Sequence, residues 1–242
     1  MATFDVFYAL GIHRAPASAC IPEFERLMES IVDECVNLLP LVKQNYLKVD
    51  MIFQDENTPA LEIGPRSPAV FVVIQALTPE NVRKVLASPE LRKIFQKGKD
   101  FGNQSSFFAY SKVLIDQIDP PAPDNGIQMV FVYDGPLDEN HMREFDDFMR
   151  GFVLLPGIQE SVARLEMWQS TNILDEDVQD FGYSTESQPM LYCATLKDSS
   201  VDAVKQMMSD PDTQRYFAEG RQQLDLKKYG YWFVANVVTK LD

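Results

Sequence analysis

Two short stretches carry the residues best suited to acid–base chemistry. Lys48-Val49-Asp50-Met51 and Arg164-Leu165-Glu166-Met167 each set a cation and a carboxylate two positions apart, and Trp168 extends the second. Residues i and i+2 of a strand share a face, so each stretch offers a base beside an acid. Leu47, Val49, Met51 and Phe53 supply the apolar opposite face of the first, matched by Leu165 and Met167 in the second. Looking into a cavity, Asp50 and Glu166 could shuttle protons, with burial raising their pKa and the neighbouring cation lowering it. At an exposed sheet edge the same residues form a solvated ion-pair ladder. Of the two histidines, His13 follows the first strand directly in Gly11-Ile12-His13-Arg14, and His141 opens a helix after Asp138-Glu139-Asn140. His13 is the natural acid–base group at neutral pH, whereas His141 reads as a surface residue.

The elements that position these groups occur twice. Phe4 to Leu10 is a strand broken by Gly11. Pro22 to Leu38 carries Phe24, Leu27, Met28, Ile31, Val32 and Cys35 at the spacing of an amphipathic helix. Strands follow at Tyr46–Gln54 and from Val70 to Ala76, then a helix opened by Thr78-Pro79-Glu80, and a strand from Phe107 to Ile115. The second half repeats the order: strand 128–133, helix 140–155, strand 162–169, strand 189–196, helix 200–223, strand 231–240. Leu38-Leu39-Pro40 matches Leu154-Leu155-Pro156, and Ser88-Pro89-Glu90…Phe95…Gly98 matches Asp210-Pro211-Asp212…Phe217…Gly220. The offset reads as 121 at the third strand of each half and 122 at the following helix. A repeat of this kind fixes the unit of folding. It divides the chain into residues 1–116, a Pro-rich linker 117–126 and residues 127–242.

A βαββαβ unit makes a four-stranded antiparallel sheet with both helices on one face. Two such units cover each other's bare face, and eight strands close as a barrel whose interior is filled or holds one small ligand. His13 then falls at the barrel mouth. Aromatic residues supply both faces of the strands, and Tyr8, Tyr110, Tyr133, Trp168 and Tyr192 suit the binding of a flat, apolar ligand. The polar, acidic segment Ser170–Gln188 has no equal in the first half and is a candidate lid over one mouth.

These two halves, with their Leu-Leu-Pro and second-helix motifs and an aromatic last strand, resemble the dimeric α+β barrel superfamily, in particular tandem EthD-like proteins of the fungal type. The resemblance implies the fold class α+β: tandem ferredoxin-like repeats forming an intramolecular dimeric barrel. It also implies small-molecule chemistry, often on polyketide-like metabolites, with a His, Tyr or acidic residue as acid–base. The expected function is a cofactor-independent lyase or isomerase performing cyclisation, dehydration or decarboxylation on a hydrophobic secondary metabolite. In that reading His13 and Asp50 or Glu166 transfer protons, and Lys48 or Arg164 holds a developing enolate. The alternatives are an oxygenase on the same fold, cofactor-free or haem-dependent, and a non-catalytic small-molecule-binding or stress-response barrel.

Composition removes other classes. A net charge of −14 over 242 residues repels nucleic acid and anionic lipid. Cys20, Cys35 and Cys193 form no disulfide framework, and no metal-ligand spacing, GxGxxG, P-loop or GxSxG occurs. No cofactor is expected. The setting expected is cytoplasmic, away from membranes, with a monomer or homodimer acting on a small hydrophobic substrate.

Overall fold

A computed structural model of the chain describes residues 6–15, 20–54, 69–98, 104–117, 126–133, 138–179, 190–198 and 200–242. The strands are β1 (Phe7–Arg14), β2 (Tyr46–Gln54), β3 (Ala69–Ala76), β4 (Gln104–Asp116), β5 (Ile127–Tyr133), β6 (Val162–Thr171), β7 (Met190–Leu196) and β8 (Gly230–Leu241). They close into a barrel in the order β1-β3-β2-β8-β5-β7-β6-β4, with every pairing antiparallel. The barrel is thus two four-stranded sheets of one chain, joined edge to edge by β2–β8 and β4–β6. The linker expected at 117–126 lies almost wholly outside the described residues.

The helices are α1 (Ile21–Leu38), α2 (Pro40–Asn45), α3 (Pro79–Leu86), α4 (Pro89–Phe95), α5 (Glu139–Val153), α6 (Pro156–Ser161), α7 (Asp175–Gln179), α8 (Val201–Ser209), α9 (Pro211–Gln223) and α10 (Leu226–Tyr229). The motifs that mark the repeat are helix starts. Ser88 and Asp210 accept from the backbone N–H three residues on, at 3.2 and 2.9 Å, and Pro89 and Pro211 occupy first-turn positions whose N–H would go unpaired anyway. Pro40 and Pro156 do more than stop the preceding helix: each begins a short new one.

Three apolar clusters result. One lies between the first sheet and its helices, one between the second sheet and its helices, and one fills the barrel. The lumen holds Leu10, Ile52, Phe71, Val73, Val130, Val132, Leu191, Phe233 and Val237 among others, and Phe71 stacks on Phe233 at 5.2 Å. Eight strands leave just this much room for side chains. No helix among the described residues is long and apolar enough to cross a membrane.

Two expectations need correcting here. Gly11 does not break the first strand, which runs on to Arg14. The repeat offset of 121 at the third strand is also wrong. Asp50 pairs with Val73 and Glu166 with Cys193, so β3 and β7 correspond at an offset of 120. An odd offset would match barrel-facing residues of one half with helix-facing residues of the other.

Candidate functional site

The residues expected to share one cavity divide between two layers. Tyr8, Asp50, Glu166 and Trp168 face the barrel interior, with Lys48 and Arg164 beside the two carboxylates. Val49, Met51, Leu165 and Met167 pack under the helices, while Leu47 is exposed. Tyr133 and Tyr192 lie on the helix side of the second sheet, and Tyr110 packs with Phe7 on the helix side of the first. His13 is also on the helix side, in phase with Phe7, Ala9 and Gly11, and is only 1% exposed. Alternation along an unbroken β1 requires this, so the barrel-mouth position for His13 is corrected, as is the barrel-lining position for Tyr110, Tyr133 and Tyr192.

In the barrel, Glu166 is held from all sides. Its Oε2 accepts from the Tyr8 hydroxyl and Trp168 Nε1, both at 3.1 Å. Its Oε1 accepts from Arg164 Nε and the adjacent guanidinium nitrogen at 2.8 and 2.6 Å. Tyr8 also stacks on Trp168 at 4.6 Å. A carboxylate with this many donors has little lone-pair capacity left for a substrate proton. Burial, then the Glu166 charge, pushes the Tyr8 hydroxyl above its ordinary range, so it keeps its proton. Asp50 accepts from Thr239 Oγ1 at 2.7 Å and lies 3.4 Å from Lys48 Nζ. With the lumen packed around them, these groups act as polar ties between strands. Tyr8→Phe is therefore expected to cost about 1 kcal/mol in urea denaturation, the worth of one buried hydrogen bond, and to leave small-molecule binding unchanged.

Free space is found outside the barrel. A cavity between the first sheet and its helices gives the centre of a water molecule about 80 Å³ in which to move, several times what one water needs. Ala9, Gly11 and His13 of β1 form its floor with Val72 and Ile74 of β3, and Val32, Cys35 and Val36 of α1 form its roof. Gly11 matters by its missing side chain: a Cβ there would sit 3.0 Å from His13 Nε2, so the imidazole lies over the bare backbone. Phe95 packs near the ring at 6.2 Å between centroids.

Every titratable group described on this wall is in its neutral form near pH 7. Burial pushes His13 down to about 4 and Cys35 up to about 12, and it carries Tyr46 above its ordinary range. The cavity thus presents a dry apolar surface with one uncharged base. Val178 of α7 completes the lining. The described part of the Ser170–Gln188 segment is therefore a packed element: Leu174 and Val178 are buried in the first-half core, and Asp177 pairs with Arg83 at 3.2 Å. Residues 180–188 lie outside the described residues.

The described residues lining the cavity do not fit a haem: no Lys or Arg is among them to meet propionates. His141 is exposed on the first turn of α5, 2.7 Å from Asp138. No group of three or more metal-ligating side chains occurs among the described residues.

The chain was compared with known proteins. No protein-family model matches it, and no curated protein matches it. Solved structures do. An anthrone oxidase-like protein superposes with a TM-score of 0.63 at 10% identity, over 97% of this chain and 92% of the other. A provisionally named monooxygenase from Fusobacterium nucleatum gives 0.57 at 12% identity, with the same coverage. A second such protein, from Lactobacillus acidophilus, gives 0.51 at 8%. The fold is the dimeric α+β barrel. In this barrel both halves belong to one chain, so closure needs no second copy. Identities this low speak for the fold alone; they do not single out the EthD-like branch.

Sequence reasoning missed Ala9, Gly11, Tyr46, Phe95 and Val178 as cavity residues. The local cue is the pair Ala9 and Gly11, two small residues in phase with a histidine on a strand, which marks a cavity only together with the neighbouring strands.

Proposed function

We propose that the chain is a cofactor-independent oxygenase acting on a flat, apolar substrate with an acidic C–H or O–H, and that His13 is its base. The observation that carries this reading is the neutral imidazole on the wall of a dry apolar cavity. His13 takes a proton from an activated CH₂ or its enol, leaving a delocalised enolate. Burial opposes an isolated imidazolium, but the enolate formed beside it makes an ion pair and offsets that penalty. The electron-rich enolate then reduces O₂, the carbon–oxygen bond forms, and the hydroperoxide loses water. The balance is R₂CH₂ + O₂ → R₂C=O + H₂O: the carbon gives up four electrons, O₂ takes them, and the proton on His13 returns with the departing hydroxide. Excluding water protects the enolate from reprotonation. The names of the similar structures, a monooxygenase and an anthrone oxidase-like protein, support this class over others.

The lyase or isomerase reading shares the first step and differs in the enolate's fate, ring closure or loss of water in place of capture by O₂. An oxygen electrode separates them. With 9-anthrone, oxygen uptake above the buffer rate, equimolar with ketone formed and without added cofactor, is expected. Conversion of a polyketide-like substrate with no oxygen consumed would establish the lyase or isomerase, and ligand binding with no conversion would leave a binding protein.

A further inference from the structure

We infer that the second half carries a latent copy of the first-half site, closed by its own side chains, and that strand positions 11 and 131 decide which copy is open. This rests on the first-half cavity being the ligand site, and it adds a second ligand class to that reading.

The strand registers align the two helix-facing surfaces row by row. Val49, Ile74, Ala9 and Phe108 form one row, and Leu165, Ala194, Met129 and Val234 form its counterpart. The next row is Met51, Val72 and Gly11 in the first half, and Met167, Tyr192 and Phe131 in the second. Two rings thus stand at the positions of a valine and a glycine. Helix residues follow the same trend at two places: by the Leu-Leu-Pro match, Val32 and Val36 of α1 correspond to Phe148 and Phe152 of α5, although Cys35 corresponds to Gly151. The room for a water centre falls from about 80 Å³ in the first half to about 20 Å³ in the second.

The filled copy is more than inert core. Tyr192 and Trp232 line the residual space, and the Tyr192 hydroxyl and Trp232 Nε1 are buried with no hydrogen-bond partner among the described residues. Burial raises the Tyr192 pKa, so the hydroxyl keeps its proton and donates. Buried donors left unpaired are costly, and a purely space-filling site would be served by Phe and Leu. These two neutral donors lie behind the slot's carbon surface, and once Phe131 or Phe148 is truncated they are the groups a flat ketone's carbonyl would reach. The histidine position of the first half, His13, is occupied by Tyr133 in the second, so the latent copy lacks the imidazole base. It would hold a carbonyl compound without abstracting a proton.

The test uses the full chain, 2-naphthol as a proton-bearing probe and 9-fluorenone as a ketone with no acidic proton, with stoichiometry read by calorimetry. Wild type is expected to bind one 2-naphthol per chain, and Gly11→Phe or Ala9→Met to abolish it. Phe131→Gly is expected to gain one fluorenone per chain, with Tyr192→Phe in that background weakening it about tenfold. If Phe131→Gly does not fold, Phe148→Ala opens the same space from the helix side and carries the same expectation. A folded Phe131→Gly or Phe148→Ala with no added fluorenone site overturns the inference, as does a Gly11→Phe protein that still binds one 2-naphthol. These readouts do not depend on turnover. Binding changes as expected with no oxygen uptake would leave the inference standing and remove the oxygenase, whereas oxygen uptake without a latent site would do the reverse.

Discussion

His13→Gln is expected to lower turnover by about 10²- to 10⁴-fold, the usual worth of a positioned general base, while the protein folds and still binds substrate. The same substitution has a signature in stability. An unfolded histidine takes up its proton near pH 6.5, whereas buried His13 stays neutral down to about 4. Between those values the unfolded state holds more protons, so stability rises with pH across the window and falls as pH drops through it. At about 1.4 kcal/mol per pH unit the penalty is complete near pH 4, at roughly 3 kcal/mol, and absent above pH 7. The difference in urea midpoint between pH 7 and pH 5 should therefore shrink in His13→Gln, by an amount worth about 2 kcal/mol. An unchanged acid response with unchanged turnover would remove His13 from both roles.

Glu166→Ala has the largest expected effect on stability. It strands the Tyr8 hydroxyl, Trp168 Nε1 and the Arg164 guanidinium around an empty place in the barrel. Breaking a buried, hydrogen-bonded pair from one side costs about 3–5 kcal/mol. Arg164 is about a third exposed on its side chain, and water can satisfy part of it, which puts the expected loss near 3 kcal/mol. Glu166→Gln keeps one acceptor and should cost less. The surviving folded protein should bind 2-naphthol as wild type does. A Glu166→Gln protein of normal stability that had lost turnover would instead place the chemistry inside the barrel.

The contrast between these two residues shows what the sequence discloses. The tandem repeat and the alternation of Lys48, Asp50, Arg164 and Glu166 against Val49, Met51, Leu165 and Met167 are local patterns, and from them the architecture and the buried faces of β2 and β6 could be read. The position of the cavity could not be read in the same way, because it depends on register between strands far apart in the chain. Placing the repeat one residue out at β3 and β7 turned the comparison of faces over, and the match of Val72 with Tyr192 was hidden. Treating Gly11 as a strand end then moved His13 past the strand to the barrel mouth, although Phe7, Ala9, Gly11 and His13 are in strict alternation. The absence of a side chain at Gly11 becomes informative only once its neighbours across β3 and β4 are known. Val178 was hidden for a related reason: it reaches the first-half cavity from the second half of the chain, and no local pattern encodes that contact.

The most direct measurement is a crystal structure of the protein with 2-naphthol bound. The naphthol ring is expected between the first sheet and α1–α4, over Gly11, with its hydroxyl about 3 Å from an imidazole nitrogen of His13. Density for the probe inside the barrel beside Glu166, with the space over Gly11 unaltered, would contradict the account.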